Sequence, residues 1–131
     1  MTGLQFERAF CEWLKQRDFW VLNIPRSHTG AQPFDVLAMR DRSVIAADCK
    51  VISDGPATFP FDRIEDNQRL AFDMIQRKAS VMCCIAVWYE PAKAIYIVPY
   101  VDIVAHEASG RKSIHLTSPY KTQSVIDWWC K

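Results

Sequence analysis

Asp35, Asp48 and Lys50 are the residues of this chain whose types and spacing could do chemistry. Asp35 opens a short apolar run at 34–39, and Asp48 and Lys50 close a second at 43–51, with the polar turn Arg40-Asp41-Arg42 between them. Two such runs read as a hairpin, in which the start of one strand lies beside the end of the other. The two carboxylates then meet. Side chains alternate faces along a strand, so Asp48 and Lys50 share one face and Cys49 points to the other. Two carboxylates beside an ammonium could hold a hard divalent cation and steady the negative charge that develops in a hydrolytic displacement. The competing reading is a carboxylate–lysine ion pair at a strand end, since structural ion pairs also form such groups.

Helices must bring up the rest of such a site. Residues 3–18 read as an amphipathic helix whose wet stripe is Gln5, Arg8, Glu12 and Lys15. Glu7 lies off that stripe, in line with Leu4, Phe10, Cys11 and Leu14. An acid on an apolar face needs a partner, because an unpaired buried charge is costly. An arginine would serve, and so would a metal shared with Asp35 and Asp48. A second helix is expected over 61–79, with Pro60 just ahead of its start, where proline is tolerated. Gln68 aligns there with Ile64, Ala71, Phe72 and Ile75 and is the polar exception on that face. Bonding to backbone is its alternative to a place in the site. Three carboxylates suit Mg2+ or Mn2+ rather than zinc. With a lysine beside them, they make the equipment of metal-assisted phosphodiester hydrolysis.

Residues 19–24 read as a strand ended by Pro25. The polar loop 26–32, with Arg26, Ser27, His28 and Thr29, leads straight to Asp35 and could touch a ligand there; a solvated connector is the alternative for each residue. Gly and Pro make 53–60 a loop. Residues 81–89 are apolar without alternation, which predicts a strand covered on both faces. A turn at 91–93, a strand at 94–98 and a short helix at 100–108 follow. Residues 109–124 are polar and basic, and 125–131 form a tail carrying Trp128-Trp129. The order αβββαββ plus a C-terminal tail predicts an α/β fold, a mixed central sheet flanked by helices, in a single domain over 1–131. The apolar runs 81–89 and 94–100, together with the tail, offer more aromatic surface than such a domain usually exposes, which points to an interface.

With 131 residues, half of them hydrophobic and five of them Trp, the chain is long and apolar enough to bury a core. Its longest apolar run is too short to span a membrane, and no signal pattern opens the sequence, so the cytoplasm is the expected location. The five Cys form no CxxC pair, and the three His are scattered, which argues against a disulfide framework or a zinc site. The thiols read better as small buried hydrophobes. A net charge of +1 does not itself indicate nucleic acid. Its distribution says more: Arg111, Lys112, Lys121 and Lys131 face a single acid, Asp127, in the last stretch. That stretch is the expected phosphate-contacting surface.

Pro33-Phe-Asp35 followed by Asp48-Cys-Lys50 resembles the PD-(D/E)XK nuclease motif, and Glu7 matches the acid of that superfamily's first helix. Within the superfamily the chain looks most like Holliday junction resolvases of the RecU kind, over about residues 3–98. Phe59-Pro60, Ile64 and Asn67-Gln68 stand where that family has Phe-Pro and a helix with a His-Gln pair. The loop 26–32 is similar to that of archaeal resolvases, which place Arg and Ser before the first catalytic Asp. The chain departs from the family in three places. Asp48 stands where Glu is more common, Asn67 replaces the His, and residues 19–34 are too few to hold the RecU stalk. The resemblance is therefore to a compact version, such as a phage might encode.

This resemblance implies a restriction-endonuclease-like core and a Mg2+- or Mn2+-dependent endonuclease. Glu7, Asp35, Asp48, Lys50 and Gln68 would be the catalytic group. Glu7, Asp35, Asp48 and the Cys49 backbone carbonyl would hold the metal. It further implies a homodimer acting on four-way DNA junctions in the cytoplasm of a prokaryotic or phage-infected cell, with Arg26, Ser27, His28, Thr29, Arg111, Lys112 and Lys121 against DNA. The rival readings are a restriction- or repair-type nuclease acting on duplex or flap DNA, and a non-catalytic protein of nuclease-like fold that binds DNA or a partner.

Overall fold

A computed structural model describes residues 1–25 and 32–130. The first helix, α1 (Gly3–Lys15), is started by Thr2, whose hydroxyl accepts from the Gln5 amide at 3.1 Å while the Gln5 side chain accepts from the Thr2 amide at 2.8 Å. This reciprocal cap satisfies two donors that the first turn would otherwise leave unpaired. Phe6, Glu7, Phe10, Cys11 and Leu14 form the buried face. Leu4, expected there, is exposed. The helix ends short of 18, and Asp18 takes a left-handed conformation (φ 66°) that turns the chain into β1 (Trp20–Asn23).

Strands β2 (Val36–Arg40) and β3 (Ser43–Ile52) form the expected hairpin, paired from Val36 with Ala47 to Arg40 with Ser43. Asp41, with φ 53°, makes the tight turn; aspartate tolerates this region better than most residues. The chain then crosses to β5 (Met82–Tyr89), which runs parallel to β3, and returns antiparallel as β6 (Ala94–Pro99). The sheet order is β1-β2-β3-β5-β6. Central β5 is buried almost throughout, as an apolar run without alternation requires.

Alternation along β3 sorts the core into two layers. Ile45, Ala47, Cys49 and Val51 pack on one face against Phe6, Phe10 and Leu14 of α1 and Val125 and Ile126 of α4 (Thr122–Trp129). Ala46 faces the other way, toward Phe72 of α2 (Asp66–Lys78) and Ile103 of α3 (Tyr100–Ala108). The predicted mixed sheet flanked by helices is the observed architecture.

Three local readings are corrected. The helix expected over 61–79 begins at Asp66; residues 61–63 form a separate 3₁₀ turn, and Ile64 and Glu65 are extended. The cause is tertiary: the Phe61 amide donates to the Lys112 carbonyl at 2.9 Å, and Phe61 and Ile64 are drawn into the core. The loop read over 53–60 contains β4 (Thr58–Pro60), which pairs with β7 (Ser113–His115) from the polar segment to make a two-stranded sheet. The runs 81–89 and 94–100 are consumed inside the fold, so the exposed large apolar residues near the C-terminal end are Val101, Val104 and Trp128. Among the described residues, no helix is long and apolar enough to cross a membrane.

Candidate active site

Asp35 immediately precedes β2, and its amide donates to the Ala47 carbonyl at 3.0 Å, which extends the hairpin by one residue. This places its carboxylate beside the later half of β3. Oδ2 accepts from the Cys49 amide at 2.8 Å, and Oδ1 accepts from Gln32 Nε2 at 2.6 Å. The Gln32 carbonyl in turn accepts from Asn67 Nδ2 at 2.8 Å. Asn67 on α2, through Gln32, thus fixes the segment that delivers Asp35. In the sequence Gln32 is only the end of a polar loop. Its sequence signal is weak, a glutamine three residues ahead of the acid.

Asp48 is 1% exposed, and Lys50 Nζ lies 3.1 Å from its Oδ2. Both side chains follow Ala46 onto the α2 face by alternation, while Cys49 packs on the α1 side. The Lys50 ammonium is close, but Asp48 Oδ2 accepts no well-directed hydrogen bond from any described residue. Burial pushes the Asp48 carboxyl up from 3.8 to about 7; the Asp35 carboxylate, close enough to hydrogen-bond with it, adds to the rise, and Lys50 opposes it. Two acids crowd one small volume in which one ammonium does not fully compensate them.

Glu7 is also buried, on α1. Burial raises the Cys49 thiol, and the charges of Asp35, Asp48 and Glu7 add to the rise; burial, and after it Glu7, also raises Cys11, to about 11. These thiols stay protonated and packed. Gln68 is buried in the first turn of α2, and its Oε1 accepts from the Glu65 amide at 3.1 Å. That bond caps the helix, as the backbone-bonding alternative proposed, and leaves its amide nitrogen for other partners.

Among the described residues, no three of the His, Cys, Asp and Glu side chains stand together as a ready metal cage. The pair Asp35 and Asp48 nevertheless has what a hard divalent cation needs: oxygen donors, an orphaned buried carboxylate oxygen, and an excess of negative charge.

The expected DNA contacts divide. Arg111 and Lys112 line an open cleft of about 700 Å³ between β4, α2, α3 and β7, alongside Thr58, Arg69 and Ser113. In it Arg69 grips Glu107 through two bonds of 2.8 and 3.0 Å. Lys121 does not join them: its backbone bridges to Tyr96 on β6, and it lines a separate groove. Arg26, Ser27, His28 and Thr29 lie outside the described residues.

No protein-family model matches the chain, and no curated protein does. Among solved structures it is similar to that of Hjc from Archaeoglobus fulgidus, a Holliday junction resolvase from an archaeal hyperthermophile. The TM-score is 0.64 and the identity 19%, over 95% of this chain and 98% of that one. The likeness covers nearly all of both chains, and the fold of this protein is the restriction-endonuclease-like α/β fold.

Proposed function

We propose that this chain is a metal-dependent DNA endonuclease that hydrolyses phosphodiester bonds, with four-way junctions as its substrate. The observation that carries the reading is the buried pair Asp35 and Asp48 with half-buried Lys50 beside Asp48, a group short of positive charge. Asp35, Asp48 and the Cys49 carbonyl would hold Mg2+ or Mn2+, with Glu7 adding a carboxylate from the α1 side. Such a cation, when bound, supplies water activation and neutralises charge at phosphorus.

The chain's own residues do the rest. The Asn67–Gln32–Asp35 relay holds the first acid in place without using up its acceptor capacity. Lys50 projects beside Asp48 and stabilises the negative charge that grows on the phosphoryl oxygens. Gln68 anchors the start of α2 next to the site and can direct its amide nitrogen to a phosphate or water. Arg111 and Lys112 receive the DNA backbone in their cleft.

A compact RecU-like resolvase of phage or prokaryotic cytoplasm fits this set of residues. Junction cutting calls for two sites, and exposed Val101, Val104 and Trp128 offer an apolar surface for a homodimer. Support also comes from the fold shared with an archaeal resolvase. The deciding assay compares Mg2+-dependent cleavage of a four-way junction, a duplex, a flap and a single strand of matched sequence. Preference for the junction supports the reading in full. Equal cutting of duplex or flap reassigns the chain to a restriction- or repair-type nuclease, and no cutting of any substrate overturns the enzyme.

A further inference from the structure

A groove of about 340 Å³ opens between α1 and the start of α4, over the ends of β5 and β6. Trp88 and Ile95 line it and pack against the α1 layer of the core, so the groove lies across the sheet from Asp48 and Lys50. Its walls carry three cations, Arg17, Lys93 and Lys121, and no carboxylate side chain. Arg17 lies flat on the Trp13 indole, 3.6 Å from the ring centroid, with Nε donating to Gln123 Oε1 and one terminal nitrogen to the Trp13 carbonyl. Among the described residues, its remaining N–H donors take no acceptor. Lys93 is partly neutralised by Glu90 at 3.0 Å. Among the described residues, the Lys121 ammonium has no ion pair or hydrogen bond, although its backbone is pinned by the bridge to Tyr96 and by the Val125 amide at 3.2 Å.

Glu90 also accepts from the Trp88 indole N–H, so the unspent cations are Lys121 and Arg17; with two indoles in the lining and no lining carboxylate, the groove selects a ligand that is all acceptor at one end and flat at the other. We propose that this groove binds a nucleotide unit, its phosphate on Lys121 and Arg17 and its base against the Trp88 side. The size agrees with a small-ligand site, and base–indole contact with phosphate–cation pairing is the way proteins hold unpaired strands. The unit can come from a single-stranded nucleic acid or from a free nucleotide. It is distinct from the cleft of Arg111 and Lys112 and does not depend on catalysis.

The test uses the full chain carrying Arg111→Ala and Lys112→Ala, in chelator, with a short fluorescent oligothymidylate as probe. Anisotropy should show binding that persists on this background. Adding Lys121→Glu should weaken it by about tenfold or more, and Lys121→Gln, the milder variant, should lower the salt slope by about 0.7. Trp88→Phe should weaken it as well. Thymidine monophosphate competing as well as the oligonucleotide assigns the site to free nucleotides; much tighter strand binding assigns it to nucleic acid. Unchanged affinity in folded Lys121→Glu and Lys121→Gln proteins overturns the proposal. So does competition by inorganic phosphate equal to that by thymidine monophosphate.

Discussion

Lys50 Nζ stands 3.1 Å from Asp48 Oδ2 on the α2 face of the central sheet, yet that oxygen is left without a well-directed hydrogen bond. Replacing Lys50 by alanine should cut metal-dependent hydrolysis by about 100-fold or more, the scale of losing one preorganised charge stabiliser. Steady-state kinetics on a cleavable DNA measure it, with the loss in kcat. Full activity together with a large drop in melting temperature would mean that the pair is structural.

Asp48 makes the metal-free fold sensitive to pH. Its carboxyl sits near 3.8 when unfolded and is pushed to about 7 when folded. Below the lower value both states are protonated. Between the two values the unfolded chain releases a proton that the fold keeps, so stability falls as pH rises, and the penalty is complete above about 7. In chelator, melting temperature should therefore decline from about pH 4 to about pH 8 relative to Asp48→Asn, which should be the more stable protein at the alkaline end. Mn2+ should stabilise the parent more at about pH 8 than at about pH 5, because only the ionised form pairs with it. Identical pH profiles for parent and variant would remove Asp48 as the strained acid.

Gln32 bonds to Asp35, and Asn67 holds the carbonyl of Gln32. Asn67→Ala and Gln32→Ala should each lower cleavage about tenfold and weaken Mn2+ binding by a similar factor, the usual range for a residue that orients a ligand. Asn67→Asp removes the donor but keeps the shape, and should behave like Asn67→Ala. Calorimetric Mn2+ titration separates this positioning role from a general loss of stability.

Arg111 and Lys112 share a cleft, and Lys121 does not. Neutralising the first two should reduce the slope of log K against log salt on duplex DNA by about 1.8. Lys121→Ala should leave the duplex slope close to the parent value. A slope indifferent to Arg111 and Lys112 would place the duplex on another surface.

Val101, Val104 and Trp128 are exposed on α3 and α4, with Trp128 60% accessible. If they form a twofold interface, Val101→Glu with Trp128→Glu should convert a dimer to a monomer in light scattering at micromolar concentration, and abolish paired cutting of a junction while sparing single nicks. A monomeric parent protein would remove the homodimer from the reading.

The sequence by itself determined the α/β class, the hairpin and the orientation of its acids. Asp48 and Lys50 had to share a face opposite Cys49 because side chains alternate along any strand, whatever surrounds it. Burial of β5 followed equally from its unbroken apolar run. Partners that depend on distant segments were decided only by the tertiary structure. β4 and β7 are three residues each, one of them containing Pro60, and carry no periodicity from which a strand could be read. They exist because Thr58 and Pro60 meet His115 and Ser113 across the fold. The start of α2 moved to Asp66 because the Phe61 amide found its acceptor in Lys112. Likewise, no local pattern tells that Gln32 reaches Asp35 or that Lys121 parts from Arg111. Periodicity is a property of neighbours in the chain, whereas each buried donor takes whichever acceptor the packed core brings within reach.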